Sequence, residues 1–225
     1  MTEKALPPLR LLLASKSPRR QAFFELLGVP FVAVTAEVDE TPVDGESPME
    51  MVRRLSLAKA QAVADRADDP ALVVGSDTTV VFEGQVMGKP SSQEEARRML
   101  LTLRGGPHEV HTGVSIVEAG RERAITWSVT SVVWMRPYSE KEIERYIASG
   151  DPFDKAGGYA IQHSLFRPAA RIEGCYANVM GMPLCHLVPH LVHLGMVLNV
   201  DLPSVCTALT GLPCIIEQPE LDIHS

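Results

Sequence analysis

Apolar and polar positions follow two periods along this chain, and each change of period marks an element. Leu9 to Ala14 is a short apolar run that predicts a buried strand. It stops abruptly in Ser15-Lys16-Ser17-Pro18-Arg19-Arg20. From Arg19 to Leu27 the residues Phe23, Leu26 and Leu27 share a helical face, with Gly28 as the stop. Pro30 to Val34 predicts a short strand. Ser47-Pro48-Met49-Glu50 is a capping box with proline at the first helical position, opening a helix to about Asp65 that carries Val52, Leu55, Ala58 and Ala62 on one face. Ala71 to Gly75 predicts an apolar strand ending in Ser76-Asp77-Thr78-Thr79, after which Val80 to Phe82 continues extended. Glu83-Gly84 reads as a hairpin turn, and Gly88-Lys89-Pro90 closes the unit. Ser91 or Ser92 caps a helix that Gly105-Gly106 ends. His108 to Val117 and Arg123 to Trp134 alternate as two long strands joined at Ala119-Gly120. Ser139 to Glu142 is another capping box, whose helix stops at Gly150. The glycine-bearing stretch Gly150 to Gln162 leads into a strand, Arg171 to Glu173 resumes one, Gly174 turns, and Leu184 to Leu194 is helical. Beyond Gly195 the prolines 203, 213 and 219 break any long element and predict a partly ordered tail. Helices and strands interleave throughout, which predicts an α/β fold with a mixed sheet.

A chain of 225 residues with 45% hydrophobic content has enough apolar material for one domain with a sizeable core. Its net charge of −7 argues against a general nucleic-acid binder, whose footprint is a basic face. Any phosphate ligand must therefore be held by a local cationic pocket, which favours a small ligand over a polymer. No uninterrupted apolar stretch reaches about 18 residues, and Met1 to Arg10 lacks the apolar core of a signal peptide. The expectation is a cytoplasmic protein with no membrane and no nucleic-acid partner. Cys175, Cys185, Cys206 and Cys214 lie in the last quarter without a Cys-x-x-Cys pair, so thiols are expected rather than disulfides or zinc.

The opening turn carries the first chemical signal. Ser17 falls at the N-cap and Pro18 at the first helical position, placing Arg19 and Arg20 in the first turn. Cations are misplaced there by about 0.3–1 kcal/mol each, because the helix dipole is already positive. Lys16, Arg19, Arg20 and the free N–H groups become consistent if they bind an anion, for which phosphate is the natural candidate. A solvated basic turn is the alternative.

Asp77, after a buried strand, can serve as a general base or as a ligand for a divalent metal, and a strand-end turn cap is the competing role. Glu40 or Asp39 of the acidic loop supplies a second oxygen ligand; magnesium needs only one or two carboxylates when phosphates provide the rest. Lys59, Lys89 and Lys155 each read as ordinary surface lysines, although Lys89 and Lys155 sit in glycine-bearing turns suited to phosphate, and Gly150 to Gln162 is either a ligand-approaching or a plain connecting loop. His186, His190 and His193 share a helical face but lack the glutamate of a zinc helix, so a packing or surface role outweighs metal binding there. P-loop, dinucleotide and α/β-hydrolase fingerprints are absent from the sequence.

Leu13-Ala14-Ser15-x-Ser17-Pro18-Arg19-Arg20, Val38-Asp39-Glu40, Gly75-Ser76-Asp77-Thr78, Gly88-Lys89-Pro90, Thr112-Gly113-Val114 and Asp154-Lys155-Ala156-Gly157-Gly158-Tyr159-Ala160-Ile161-Gln162 resemble, in order and spacing, the Maf family of nucleoside triphosphate pyrophosphatases. Glu173 to Leu184 extends the likeness, which covers residues 9–194; residues 195–225 fall outside it. The resemblance implies an elongated mixed sheet flanked by helices, with two lobes around a central cleft. It also implies a homodimer that cleaves a nucleoside triphosphate to monophosphate and pyrophosphate with a divalent metal, Mg2+ or Mn2+. Asp77 then corresponds to the proton acceptor and, with Glu40, to the metal site. Ser15, Arg19, Arg20, Lys59, Lys89 and Lys155 line the phosphate channel. Arg19, Thr78 and Gln162 match the branch acting on dTTP and UTP. Gln162 to Ala170 departs from the family's glycine-rich segment. The competing expectations are a non-catalytic nucleotide sensor of cell division and the same chemistry on another or modified base.

Overall fold

The computed structural model describes residues 9–211. The sequence readings that fall on Met1 to Pro8, and on the segment from residue 212 that includes Pro213, Cys214 and Pro219, lie outside the described residues. A strand β1 (Arg10–Ala14) leads to helix α1 (Pro18–Leu26) and strand β2 (Phe31–Ala33). Then come α2 (Pro48–Ala64), β3 (Ala71–Phe82), β4 (Gln85–Met87), α3 (Gln93–Leu103), β5 (Pro107–Glu118), β6 (Ala124–Met135) and α4 (Glu140–Ala148). The chain continues through β7 (Ala169–Glu173), α5 (Tyr176–Val179), α6 (Leu184–His193) and α7 (Leu202–Thr210). The strands form one mixed sheet in the order β2-β1-β3-β5-β6-β7, with β4 folded back on β3. β1 runs parallel to β2 and β3, whereas β3, β5, β6 and β7 are mutually antiparallel.

Both faces of the central strands are covered, and the period of two sorts their residues cleanly. Leu11, Leu13, Leu72 and Val74 join the core built with Phe23 and Phe24 of α1, Leu100 of α3 and Ile143 of α4. Leu12, Ala14, Ala71 and Val73 face the opposite way and pack on Ala60, Val63 and Ala64 of α2. The predicted serine caps of α2 and α4 form as full capping boxes, and Ser92 rather than Ser91 accepts the capping bond of α3. Glu83 and Gly84 both take positive φ in the predicted hairpin turn. Among the described residues no helix is long and apolar enough to cross a membrane.

Two boundaries differ from the sequence reading. Ser76 to Thr79 do not leave the strand: β3 is continuous because β5 pairs with it residue by residue from Leu72↔Glu118 to Val81↔Glu109. Parallel pairing with β1 ends at Ala14↔Gly75, so the polar half of β3 projects past β1 and borders the opening there. Nor does Gly150 to Gln162 lead into a strand. It forms two 3-10 turns held by side chains, with Ala160 N–H donating to Tyr146 Oη at 2.8 Å and the Tyr159 hydroxyl 2.7 Å from His108 Nε2. α7 lies in the segment expected to be partly ordered, and it buries Leu202 and Cys206 in the core.

α2 sits unusually low on the sheet. A Cβ at Gly75 would lie 2.2 Å from the Ser56 carbonyl oxygen, and one at Gly113 would lie 2.1 Å from that of Val52. Neither glycine has positive φ, so the demand is for space rather than backbone freedom. Gly113→Ala is expected to cost about 1–3 kcal/mol by forcing α2 outward. Gly106→Ala, where a Cβ meets open space, should stay within about 0.5 kcal/mol. Urea unfolding of the two variants checks the contrast.

Candidate active site

The polar half of β3, the β1–α1 turn, α2 and the turns after α4 enclose a cleft of about 690 Å3. Ser15, Lys16, Arg19, Arg20, Glu40, Lys59, Asp77, Thr78, Lys89, Lys155 and Gln162 all line it. Candidates drawn from six separate stretches of the sequence thus meet in one place. Six of the lining side chains are cations against three carboxylates (Glu40, Asp77 and Asp154), inside a chain of net charge −7. Such a concentration of positive charge in a concave site suits a small polyanion.

The β1–α1 turn supplies one wall. Ser17 N–H donates to Ser15 Oγ at 3.1 Å, which folds the turn tightly, and Ser17 makes no side-chain capping bond to α1. With no acidic residue in its first turn, α1 directs its positive end and uncapped N–H groups without a local counter-charge. Arg19 reaches Asp154 at 3.8 Å, and Lys16 is exposed.

α2 supplies the second wall. Its close seat on the sheet brings Lys59 Nζ to 2.6 Å from Asp77 Oδ1 and 2.7 Å from Glu40 Oε1. The Lys59 and Asp77 side chains are only 13% and 14% exposed, so the pair is largely shielded from water. The hydrogen bond from Lys59 holds the Glu40 carboxyl below its ordinary value of 4.5, against an opposing effect of burial. Two carboxylates therefore converge on one cation. That donor set fits a divalent metal of the magnesium type, which takes one or two carboxylates and draws further ligands from water and phosphate. Among the described residues no group of three or more histidine, cysteine or acidic side chains forms a self-contained metal cage. His190 instead packs on Trp127 with ring centroids 4.4 Å apart and His193 is exposed, in keeping with the packing or surface role expected of the α6 histidines.

The third wall is the turn region after α4. Lys155 is buried, donates to the Asp151 carbonyl at 2.6 Å and pairs with the carboxylates of Asp151 and Asp154. Gly157 N–H donates to the Gly88 carbonyl at 3.0 Å, tying this loop to the one that carries Lys89. Arg20 occupies a different position from its neighbour. Its guanidinium spans the back of the cleft, donating to Ser76 O at 2.8 Å, Thr78 Oγ1 at 2.9 Å and Gly181 O at 3.0 Å. Burial lowers its pKa while Asp77 opposes that shift. Sequence reasoning placed Arg20 among phosphate ligands; the structure makes it first a brace that fixes β3 and Thr78. Asp154, and the hydroxyl of Thr112 behind Thr78, were not singled out, although both fall in conspicuous stretches, Asp154-Lys155-Ala156 and Thr112-Gly113-Val114.

An open mixed α/β sheet with a cationic cleft, a shielded lysine-held aspartate and a second carboxylate beside it defines a protein built to hold a small phosphate-bearing ligand. The chain belongs to the Maf family: the model described as Maf-like protein matches residues 10–194. A dTTP/UTP pyrophosphatase of Geobacter sp. is 42% identical over 84% of this chain and 97% of its own length. Another protein of that name, from Pelotomaculum thermopropionicum, is 44% identical over 82% of this chain and 96% of its own length. A third, from Salinibacter ruber, is 48% identical over 79% and 87%. Among solved structures, the Staphylococcus aureus Ham1 protein aligns over 58% of this chain and 75% of its own, with a TM-score of 0.42 and 15% identity.

Replacing Lys59 by methionine removes the cation shared by Glu40 and Asp77. The Glu40 pKa should then rise toward its ordinary value, measured by carboxyl-carbon NMR titration. A depressed carboxyl stabilises the fold above its unfolded pKa and loses that contribution as pH falls through the folded one. The wild type should therefore lose more stability than Lys59→Met on acidification below about pH 4.5.

Proposed function

We propose that this chain is a nucleoside triphosphate pyrophosphatase that hydrolyses dTTP and UTP to the monophosphate and pyrophosphate. The observation that carries the reading is the meeting of Asp77, Lys59 and Glu40 with the cationic lining in one cleft. The names of the 42–48% identical relatives agree with it.

In this reading Lys89, Lys155, Arg19 and the positive end of α1 take the triphosphate, offsetting its charge and fixing it for in-line attack. Asp77 is the proton acceptor. Lys59 holds it through Oδ1, which leaves Oδ2 to orient a water at the α-phosphorus. A P–O bond forms from that water, the bond to the β-phosphate oxygen breaks, and pyrophosphate leaves with its negative charge met by the lysines. Glu40 and Asp77 would hold a divalent cation, magnesium or manganese, which supplies charge neutralisation on the phosphates. Gln162 offers both an amide donor and an acceptor to a pyrimidine edge, and Arg19 and Thr78 complete the base and sugar end. The catalytic unit spans residues 9–194, and the enzyme works in the cytoplasm as a homodimer, where it removes nucleotides from the pool.

Asp77→Asn keeps the size and one acceptor oxygen of the side chain but removes its basicity. It should lower the rate of pyrophosphate release from dTTP and UTP by about 10²–10⁴-fold, with circular dichroism and nucleotide affinity retained. Undiminished release would overturn Asp77 as the base. In the wild type, EDTA should stop turnover, and added magnesium or manganese should restore it.

A further inference from the structure

Behind Thr78 runs a chain of hydrogen bonds whose direction is fixed at both ends. Thr112 Oγ1 donates to the Asn178 carbonyl oxygen at 2.9 Å. A carbonyl only accepts, so this bond consumes the single proton of the Thr112 hydroxyl. The 3.0 Å contact between Thr78 Oγ1 and Thr112 Oγ1 can then be made only with Thr78 as donor. At the other end the Arg20 guanidinium, which can only donate, gives a proton to Thr78 Oγ1 at 2.9 Å. Thr78 has thus spent its proton and one lone pair on the protein. What it offers the cleft is its second lone pair.

The arrangement is built rather than incidental. Thr112 and Asn178 are fully buried, and Asn178 is pinned by bonds from its amide to Val110 O at 3.1 Å and Ser131 Oγ at 3.0 Å. Gly181 leaves room for it, since a Cβ there would stand 2.9 Å from Thr78 Oγ1.

We propose that Thr112 is a positioning residue that makes Thr78 an obligate hydrogen-bond acceptor, so that the cleft selects bases presenting an imide N–H. The inference rests on the pyrophosphatase reading above and deepens it to substrate choice. Uracil and thymine carry N3–H between two carbonyls and satisfy the lone pair of Thr78. Cytosine presents a bare N3 at that position, placing two acceptors face to face and leaving both unsatisfied.

The test compares kcat/KM for UTP and CTP in the wild type, Thr112→Val and Thr112→Ser. Valine keeps the shape but removes the oxygen that takes the Thr78 proton, which frees that proton to turn into the cleft and meet cytosine N3. The UTP:CTP ratio should fall by about tenfold in Thr112→Val, while Thr112→Ser keeps the wild-type ratio. A folded Thr112→Val with an unchanged ratio would overturn the proposal. In the wild type, 3-methyluridine triphosphate, which lacks N3–H, should be a poor substrate beside N1-methylpseudouridine triphosphate, which keeps it; equal turnover of the two would also overturn the proposal, even where the valine variant fails to fold. A wild type inactive on every nucleotide would instead overturn the pyrophosphatase reading and the proposal with it.

Discussion

Much of this molecule depends on how closely α2 approaches the sheet. Backbone meets backbone where Gly75 of β3 and Gly113 of β5 face the carbonyls of Ser56 and Val52, leaving no space for a methyl group. Ser56 Oγ, 2.9 Å from Ser115 Oγ, adds a buried polar contact at the same level. Lys59 follows Ser56 by three residues, so it rises from the helix one turn on and meets Asp77 two residues beyond Gly75. A lysine stem is long and flexible, and ordering one costs on the order of 1.5–2 kcal/mol of side-chain entropy. The low seat of the helix shortens the span the side chain must cross, and the two carboxylates it reaches offset that cost. Because the pair is shielded, its attraction is less screened by salt than a surface ion pair of equal length.

The alternation of β3 keeps two kinds of chemistry apart. Gly75 and Asp77 face α2, the helix contact and the charged centre, whereas Ser76 and Thr78 face α1 and the 175–181 turn through Gly181 O and Arg20. One strand thus carries the charged group, Asp77, on one side and the hydroxyls of Ser76 and Thr78 on the other. A register slip of a single residue would exchange the two. Pairing with β5 over ten residues, from Leu72 to Val81, opposes such a slip, which is a physical reason for a strand of that length beneath a small ligand.

The fold was readable from the sequence where local signals agree. Serine caps with glutamate at the third helical position fixed α2 and α4, and two-sided apolar runs fixed β1 and the first half of β3. The reading failed where neighbours distant in sequence decide the outcome. Ser76 to Thr79 look like a turn by composition, yet remain strand because β5 supplies their partners. Gly150 to Gln162 look by pattern like the lead into a strand, yet form two 3-10 turns and an extended link whose partners are Tyr146 and His108. The candidate residues themselves were legible as charged and polar groups in glycine-bearing turns. Their division of labour was not: Arg19 and Arg20 are adjacent in sequence, but one lies beside Asp154 while the other braces Ser76, Thr78 and Gly181. Only tertiary contact separates them.

The cleft also carries its own counter-charges. Lys59 is shared by Glu40 and Asp77, Lys155 by Asp151 and Asp154, and Arg19 lies near Asp154. Buried or half-buried cations without partners would cost several kcal/mol each in desolvation, so these carboxylates let the protein fold with its phosphate-facing groups already in place. A triphosphate arriving in the cleft competes with the carboxylates for the same ammonium and guanidinium groups, and its net affinity is the difference between two sets of ion pairs. The more exposed partners, Glu40 and Asp154, yield at least cost, because water can solvate them once their cations turn to phosphate. Asp77 is shielded and held in the sheet, so it keeps its place while the charges around it are exchanged. The least exposed carboxylate of the set therefore stays in place, and the more exposed ones can give up their cations.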